Sequence, residues 1–529
     1  MSNTIEFTKA QSAAITARGG SLLVSAAAGS GKTRVLVERA VGLLIDPDHP
    51  IEADSLLMMT FTNAAAAKLR ADITERLAEE VRADPGNSRL RRQQMRLQRA
   101  SIGTVDAFCL HFVQQHFTAL EIPPDFETAD EATLGRIRQD TLATVLEQAY
   151  ANPDFRAFAD LYDRGRTDST AGNVVLELYE FTRALPHPNR ALREFATQWQ
   201  ADLPPAQTLW GRTLLCGAVD RVRGILRLLE AALQAAAQDE LADRAFTGVL
   251  LDDQSRLERL AKVLENADWD GAIAALDEEG GWKRPGRING GRSANPAASA
   301  AAELRDRAKK QTEQLRKDWL LCTAAEFAAD RRRAAPLVEA LVQTVQLFAD
   351  AYFQAKLAEK VLDYADYEHL TLDLLQTQDG ARTPLCKTVS RQYAAVLVDE
   401  YQDTNALQDA IYFSLAAPDA SNLFFVGDIK QSIYRFRQAD PSVFAAKQAA
   451  WRPYPDPQQI PFKEPATISL DANFRSAPAV IEGINDIFET IFSESLGGIA
   501  YGKGQRLVVG KPSDFRGRCE IDVQENDDA

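Results

Sequence analysis

The sequence predicts an α/β protein: a parallel sheet carrying a phosphate-binding loop, a large mostly helical domain inserted into that sheet, and the start of a second lobe. Three observations predict it. An apolar run, Ser21–Ser25, leads into Ala-Ala-Ala-Gly-Ser-Gly-Lys-Thr and then a helix-compatible segment. A second apolar run, Ala394–Val398, ends in Asp399-Glu400. Between them, residues 116 to about 385 show leucine and alanine at helical spacing and almost no strand-like runs.

The first element is a glycine-rich turn between a buried strand and a helix start. Backbone N–H groups of such a turn converge on an anion, and the helix dipole favours negative charge there. Residues Ala26, Ala27, Ala28, Gly29, Ser30, Gly31, Lys32 and Thr33 form this cradle. Lys32 would reach the β- and γ-phosphates of a nucleotide and Thr33 would hold Mg²⁺. Ala26 stands where the strictest pattern has glycine, and its side chain is small enough to fit. Upstream, Thr8 is placed to cap a helix, and the amide of Gln11 suits the edge of an adenine. The plain alternative for Gln11 is a surface glutamine.

Two further strands, Ser55–Thr60 and Ser101–Val105, each precede a helical pattern, which is the alternation of a parallel sheet with ligand loops at the carboxyl ends of its strands. Thr60-Phe61-Thr62-Asn63 follows the first of these. Its polar groups suit a phosphate backbone and Phe61 offers a stacking face, while a helix cap beside a core phenylalanine is the plain alternative. The arginine-rich stretch Arg70–Arg99 is either a solvated face or a nucleic-acid contact.

Composition sets limits. The chain has 529 residues, enough for two to four domains, and a formal net charge of −15. That balance argues against binding nucleic acid through bulk charge but allows a local basic groove. The five cysteines are scattered, with no CxxC pair, and read as thiols of a reducing compartment. No signal pattern opens the chain and no apolar run approaches a membrane span, so a soluble cytoplasmic protein is expected.

Within the insertion, Glu278–Ala302 reads as a basic, glycine-containing loop, a linker or a contact for a polyanion. The sheet pattern resumes at Ala394. Asp399 at the strand end would hold Mg²⁺, and Glu400 would orient and deprotonate the attacking water. Lys32 and Asp399 lie 367 residues apart, so the insertion sits inside the nucleotide-binding sheet. Next, Asn422–Arg437 reads as a strand, a Gly-Asp turn and a short segment in which Gln431 is placed to sense a γ-phosphate. Tyr434 and Phe436 alternate there with Arg435 and Arg437, the composition of a base-stacking, phosphate-contacting surface. A proline-rich stretch, Arg452–Pro465, marks a domain boundary. Beyond it Ile468–Ser476 opens a new strand and helix, with Arg475 a candidate charge stabiliser for phosphoryl transfer.

Taken in order, Gln11, AAAGSGKT, TFTNAAAAKLR, VDEYQDTN, GDIKQSIYRFR and NFRS resemble superfamily 1 helicases of the UvrD/Rep type. SIGTVDAFC, LELYEFTRALPHP and GDIKQSIYRFRQADPSVF bring the resemblance closest to the AddA type, the larger-family motor of the bacterial ATP-dependent helicase/nuclease. The resemblance implies a RecA-like motor domain over residues 1–115 and 386–452, an inserted helical domain over 116–385, and a truncated second RecA-like lobe over 466–529. It implies ATP and Mg²⁺ as cofactors, with Ala26–Thr33 on the phosphates and Gln11 and Arg39 on the adenine. Thr33 and Asp399 would serve the metal, Glu400 hydrolysis, and Gln431 and Arg475 the γ-phosphate. Phe61, Thr62, Asn63, Tyr434, Phe436 and Arg437 would line a single-strand track. The family moves 3′→5′ on single-stranded DNA and, with a second subunit of the AddB type, unwinds and resects duplex ends for recombinational repair. Two departures stand out. Asp106 replaces a usual histidine, which puts a phosphate contact in doubt. The chain also stops where the family continues into the rest of a second lobe and a nuclease domain, so nuclease activity is expected of the family rather than of these residues.

Overall fold

The structure, a computed structural model, describes residues 6–511 apart from 163–168, 202, 278–281, 289–290, 292–293, 455–462, 493–500 and 503. In chain order the strands are β1 (Leu22–Ala26), β2 (Leu56–Thr60), β3 (Ser101–Thr104), the two-residue β4 (Glu127–Thr128) and β5 (Val361–Leu362), β6 (Ala395–Val398), β7 (Leu423–Gly427), β8 (Arg452–Pro453), β9 (Ala466–Leu470), and the two-residue β10 (Ala472–Asn473) and β11 (Val508–Val509). The principal sheet runs β3-β2-β6-β7-β1-β9-β8, and every pairing in it is parallel.

Both faces of this sheet are covered, which is why its strands read as continuous apolar runs. Leu22, Val24 and Ala26 of β1 join one core with Met58, Leu397 and Phe424. Leu23 joins the opposite core with Met59, Val398 and Phe425. The period of two along each strand thus sends alternate residues into two separate apolar layers. Helices α1 (Lys9–Thr16), α2 (Lys32–Ile45) and α3 (Asn63–Ala83) supply the first layer. Helices Val105–His116, Tyr364–Leu375 and Ala406–Leu415 supply the second.

The expected parallel sheet and helical insertion are present, with different bounds. Strand β9, placed by the sequence reading in a second lobe, pairs with β1 in the register Leu22↔Ala466 to Ala26↔Leu470. Strand β1 has two hydrogen-bonding edges, and with β7 on one of them the other takes β9. The sheet therefore continues to Leu470. The described part of the proline-rich stretch, through Tyr454, includes edge strand β8; residues 455–462 lie outside the described set. At the other boundary, helix Tyr364–Leu375 buries Tyr367, Leu370 and Leu372 against the sheet's second core, so it belongs with the sheet and not with the insertion.

The chain forms two compact units. The first comprises Met1–Asn152, Ala159–Leu192 and Gln343–Ala529; the second comprises Pro153–Phe158 and Arg193–Val342. In the second, helices Leu209–Ala236, Glu240–Glu265, Trp269–Asp277 and Pro296–Asp318 pack around Ile225, Phe246, Leu250 and Leu315. A buried ion pair, Arg305 Nε to Asp253 Oδ2 at 2.6 Å, joins two of them. The loop expected over Glu278–Ala302 ends at Pro296, where Asn295 caps a helix by accepting from Ala298 N. Its described residues are not a loose tether: Gly286 N donates to Ala245 O at 2.9 Å, and Trp282 and Ile288 pack on the unit's core.

The arginine-rich stretch proves to be scaffold wherever its contacts are defined. Arg70 donates to the carbonyls of Leu97, Ala100 and Ile102, Arg76 pairs with Glu38 and Glu80, and Arg96 pairs with Glu52. Cys109 and Cys386 are buried, Cys322 is half-buried and Cys216 is exposed; Cys519 lies outside the described residues. Among the described residues no helix is long and apolar enough to cross a membrane.

Candidate nucleotide site and adjoining aromatic track

The phosphate loop leaves β1 at Ala26 and turns through Gly29 (φ 70°) and Gly31 (φ 83°), both left-handed. Gly31 is the N-cap of α2 and brings no side-chain cap, so the first N–H groups of that helix remain without an internal acceptor. The Ser30 hydroxyl is buried with no hydrogen-bond partner in the structure. Uncapped N–H groups, an unpaired hydroxyl and two glycines make a cradle that fits a phosphate. Gln11 supports it from behind. Its Oε1 accepts from Thr8 N at 2.9 Å in a capping box, and its Nε2 donates to Ser30 O at 2.9 Å. Its amide oxygen and one amide proton are therefore committed to the protein.

Lys32 enters the site from the first turn of α2. Its Nζ lies 2.9 Å from Glu400 Oε2 and 3.1 Å from Gln431 Oε1. Three segments far apart in sequence thus meet at one ammonium group. Glu400 stands in the left-handed region (φ 48°), unusual for a residue with a side chain, directly after the β6 strand end. Backbone strain of this kind persists where the surroundings fix it, and here it turns the carboxylate to Lys32. Gln402, not singled out from the sequence, locks the arrangement. Its Nε2 donates to Glu400 Oε2 at 2.9 Å and its Oε1 accepts from Asp428 N at 2.9 Å. The side chain of Gln431 is oriented in turn by Asp428, with Nε2 to Oδ2 at 2.9 Å.

Burial pushes the Asp399 carboxyl up to about 6; the Glu400 charge adds to this, while the Glu400 N–H and Lys32 oppose it. Asp403 is likewise raised to about 6 by burial and by Glu400. A crowd of carboxylates at a sheet edge is an environment that a divalent cation would relieve. Among the described residues no cluster of three or more His, Cys, Asp or Glu side chains forms a metal site by itself. A Mg²⁺ held by Asp399 and the exposed Thr33 hydroxyl would take its remaining ligands from phosphate and water, as this ion commonly does.

The segment after β9 docks onto the loop. Phe474 N donates to Gly29 O at 2.9 Å, and Asn473 Oδ1 accepts from Arg475 N and Ser476 N at 2.8 Å each. A methyl group on Gly29 would stand 2.8 Å from Asn473 Oδ1 and 2.9 Å from Arg475 Cβ. Arg475 is therefore beside the cradle, its side chain exposed. Exposed Phe474 and Arg34 flank the same loop, and neither was singled out from the sequence.

Arg39 stands elsewhere. It is buried, donates to Ala14 O at 2.8 Å and Ala17 O at 2.9 Å, and lies 4.2 Å over the Phe424 ring. It ties α1 to α2 within the core, so the expected adenine contact is corrected to a structural one.

The aromatic residues gather beside the carboxylate edge. Phe61 and Tyr434 have ring centroids 4.4 Å apart, and Tyr434 and Phe436 5.8 Å apart. The Arg437 guanidinium lies 5.8 Å from each of the two rings of Tyr434 and Phe436. Thr62 is the N-cap of α3, accepting from Ala65 N at 3.1 Å, and Asn63 is the exposed first residue of that helix. Both readings of this segment hold together: Thr62 caps, and Phe61 stacks on Tyr434 rather than entering the core. Phe436 is 77% exposed. A cavity of ≈ 220 Å³ joins Phe61, Arg437 and the exposed Tyr364 to Asp399 and Glu400. Asp106 lines it too, hydrogen-bonded to the Glu368 carboxyl. Its acid group therefore has a protein partner.

A phosphate cradle on β1, carboxylates at the end of β6 and a glutamine after β7, all on one edge of a parallel sheet, define a P-loop nucleotide-binding protein. Residues 7–451 match the model of the UvrD/REP helicase N-terminal domain, and the chain belongs to that family. Its relatives include one of the two named components of an ATP-dependent helicase/nuclease, the A component, from Moorella thermoacetica, 36% identical over 95% of this chain and 36% of the relative. The same component from Pelotomaculum thermopropionicum is 36% identical over 95% and 40%, and that from Acetivibrio thermocellus 32% identical over 99% and 42%. The chain thus spans about two fifths of the length of these relatives.

Proposed function

We propose that this chain is the N-terminal motor portion of an ATP-dependent 3′→5′ DNA helicase, working in a two-subunit helicase/nuclease of the bacterial cytoplasm that processes double-strand breaks for recombination. The single observation that carries the reading is Lys32, held between Glu400 and Gln431 beside an aromatic track. Residues Gly29–Thr33 bind the triphosphate, and its entry draws Lys32 from Glu400 onto the β- and γ-oxygens. Gln402 keeps Glu400 in place, where it aligns a water and takes its proton. Gln431 and Arg475 reach the γ-phosphoryl group. The Mg²⁺, bound through Thr33 and Asp399, supplies neutralisation of phosphate charge. Phe61, Tyr434 and Phe436 stack bases while Thr62, Asn63 and Arg437 contact the strand's phosphates. Phosphoryl transfer in such motors relies on closure of a second lobe. The isolated chain therefore binds ATP–Mg²⁺ and hydrolyses it slowly.

Support comes from the family match and from the names of the relatives, which carry both helicase and nuclease. A stand-alone UvrD-like helicase and a catalytically weak ATP- and DNA-binding module are the competing readings. The test is steady-state ATP hydrolysis with and without single-stranded DNA, alongside nucleotide binding. Slow turnover that Lys32→Ala abolishes supports the proposal. Absent nucleotide binding overturns it, and brisk strand unwinding by these residues alone overturns the dependence on a second lobe.

A further inference from the structure

Residues Leu176–Pro188, Leu-Glu-Leu-Tyr-Glu-Phe-Thr-Arg-Ala-Leu-Pro-His-Pro, supply none of the groups discussed so far. Yet three carbonyls within five residues of this stretch accept hydrogen bonds from segments flanking the site. Gln438 Nε2 donates to Glu180 O at 2.5 Å, His369 Nε2 to Arg183 O at 3.0 Å, and Leu407 N to Ala184 O at 3.0 Å. Gln438 directly follows the aromatic segment Tyr434–Arg437, and its backbone sits at φ 62°, a conformation that a non-glycine residue keeps only when held. Leu407 is in the first turn of the helix that follows Asp399–Asn405. Its N–H has no acceptor within that helix, and the Asn405 cap serves Gln408 instead.

The stretch itself is pinned from below. Arg183 pairs with Asp366 at 2.9 Å and Asp363 at 3.5 Å, and the same carboxylates receive Lys356 Nζ at 2.5 and 2.6 Å. Lys356 is fully buried. A carbonyl can only accept, so His369 carries its proton on Nε2; burial beside Arg183 keeps the ring neutral, with its pKa lowered to about 3.

We propose that Arg183 is a positioning residue. By fixing the turn Glu180–Ala184, it sets where Tyr434–Arg437 stands relative to the strand end bearing Asp399 and Glu400, and thereby sets the coupling between strand binding and nucleotide binding. This rests on the motor reading above. Neither Arg183 nor Gln438 touches a reacting group; both act through the turn.

The experiment uses the full 529-residue chain. Anisotropy of a labelled oligo-dT, with and without Mg²⁺ and a non-hydrolysable ATP analogue, gives the ratio of the two strand affinities. The wild-type ratio is expected to depart from one by about fivefold or more. Gln438→Met keeps the length of the side chain but has no donor, and Arg183→Lys keeps the charge but loses the two-carboxylate fork. Each should move the ratio toward one by roughly three- to tenfold, the worth of one net hydrogen bond. Affinity for the analogue alone should stay within about twofold, and the melting temperature of Gln438→Met should not change. If Arg183→Lys fails to fold, Gln438→Met still decides. An unchanged ratio in folded Gln438→Met overturns the inference, as does a wild type that binds both ligands without coupling. A wild type that binds neither overturns the motor reading and this inference with it.

Discussion

Lys32 Nζ and Glu400 Oε2 lie 2.9 Å apart although 368 residues separate them in the chain. The contact closes the phosphate loop onto the carboxylate strand through β7, which pairs with both β1 and β6. Removing the ammonium group takes away the main cation of the cradle. Lys32→Ala should lower ATP turnover by about a hundred- to a thousandfold, the usual cost of losing a charge-stabilising donor. The fold should persist, because the group is half-buried at the sheet edge and not in the core. Steady-state hydrolysis together with a thermal melt checks both halves.

Gly29 has no room for a methyl group and stands at φ 70°. Gly29→Ala should cost ~1–2 kcal/mol in backbone strain alone. It should also push Asn473 and Arg475 off the loop, weakening nucleotide affinity more than tenfold. A denaturant melt and a nucleotide titration on the same sample separate strain from lost binding.

Phe436 is 77% exposed, so its truncation should leave stability unchanged. Phe436→Ala should nonetheless weaken single-strand binding by ~1–3 kcal/mol, the usual worth of one stacked base. The buried face of the track behaves differently: a double-mutant cycle on Phe61 and Tyr434 should return a coupling of ~0.5–1.5 kcal/mol in stability. Equal and additive losses would show that the two rings do not interact.

Glu368 gives a pH signature. Burial, with the Asp106 charge adding to it, raises its carboxyl from 4.5 to about 8, while Gln408 and Arg183 oppose the shift. Between those two values the folded chain holds a proton that the unfolded chain releases, so this group's contribution to stability falls as pH rises through that window. His369 acts in the opposite sense: its lowered pKa makes stability rise with pH up to the ordinary histidine value. Glu368→Gln removes only the first slope. Melting temperatures from pH 5 to pH 9 should decline less in the variant than in the wild type, and parallel curves would refute the assignment.

Much of the sheet was legible because both of its faces are buried. Runs such as Leu22–Ala26 and Ala395–Val398 have no polar face, and their strand ends therefore announce the loop and the carboxylates. Strand β9 was misplaced because the prolines before it resemble a boundary, whereas its position is decided by the hydrogen-bonding edge that β1 offers. The role of Arg39 was misread for a related reason. An arginine one helical turn into α2 looks the same in sequence whether it faces a ligand or, as here, the carbonyls of α1. Gln402 was visible as a letter between Tyr401 and Asp403, but its work depends on β7 bringing Asp428 alongside. The partner of Asp106 was out of reach for a comparable reason, since Glu368 arrives on a helix that the sequence reading had assigned to the insertion.

The central claim is that the β1 loop and the β6 carboxylates form one ATP–Mg²⁺ site. Calorimetric titration of the chain with a non-hydrolysable ATP analogue tests it most directly, in the presence and absence of Mg²⁺, on wild type, Lys32→Ala and Asp399→Asn. The account predicts one nucleotide per chain, binding lost in Lys32→Ala, and the Mg²⁺-dependent part of the affinity lost in Asp399→Asn. Nucleotide binding that is indifferent to both substitutions would contradict it.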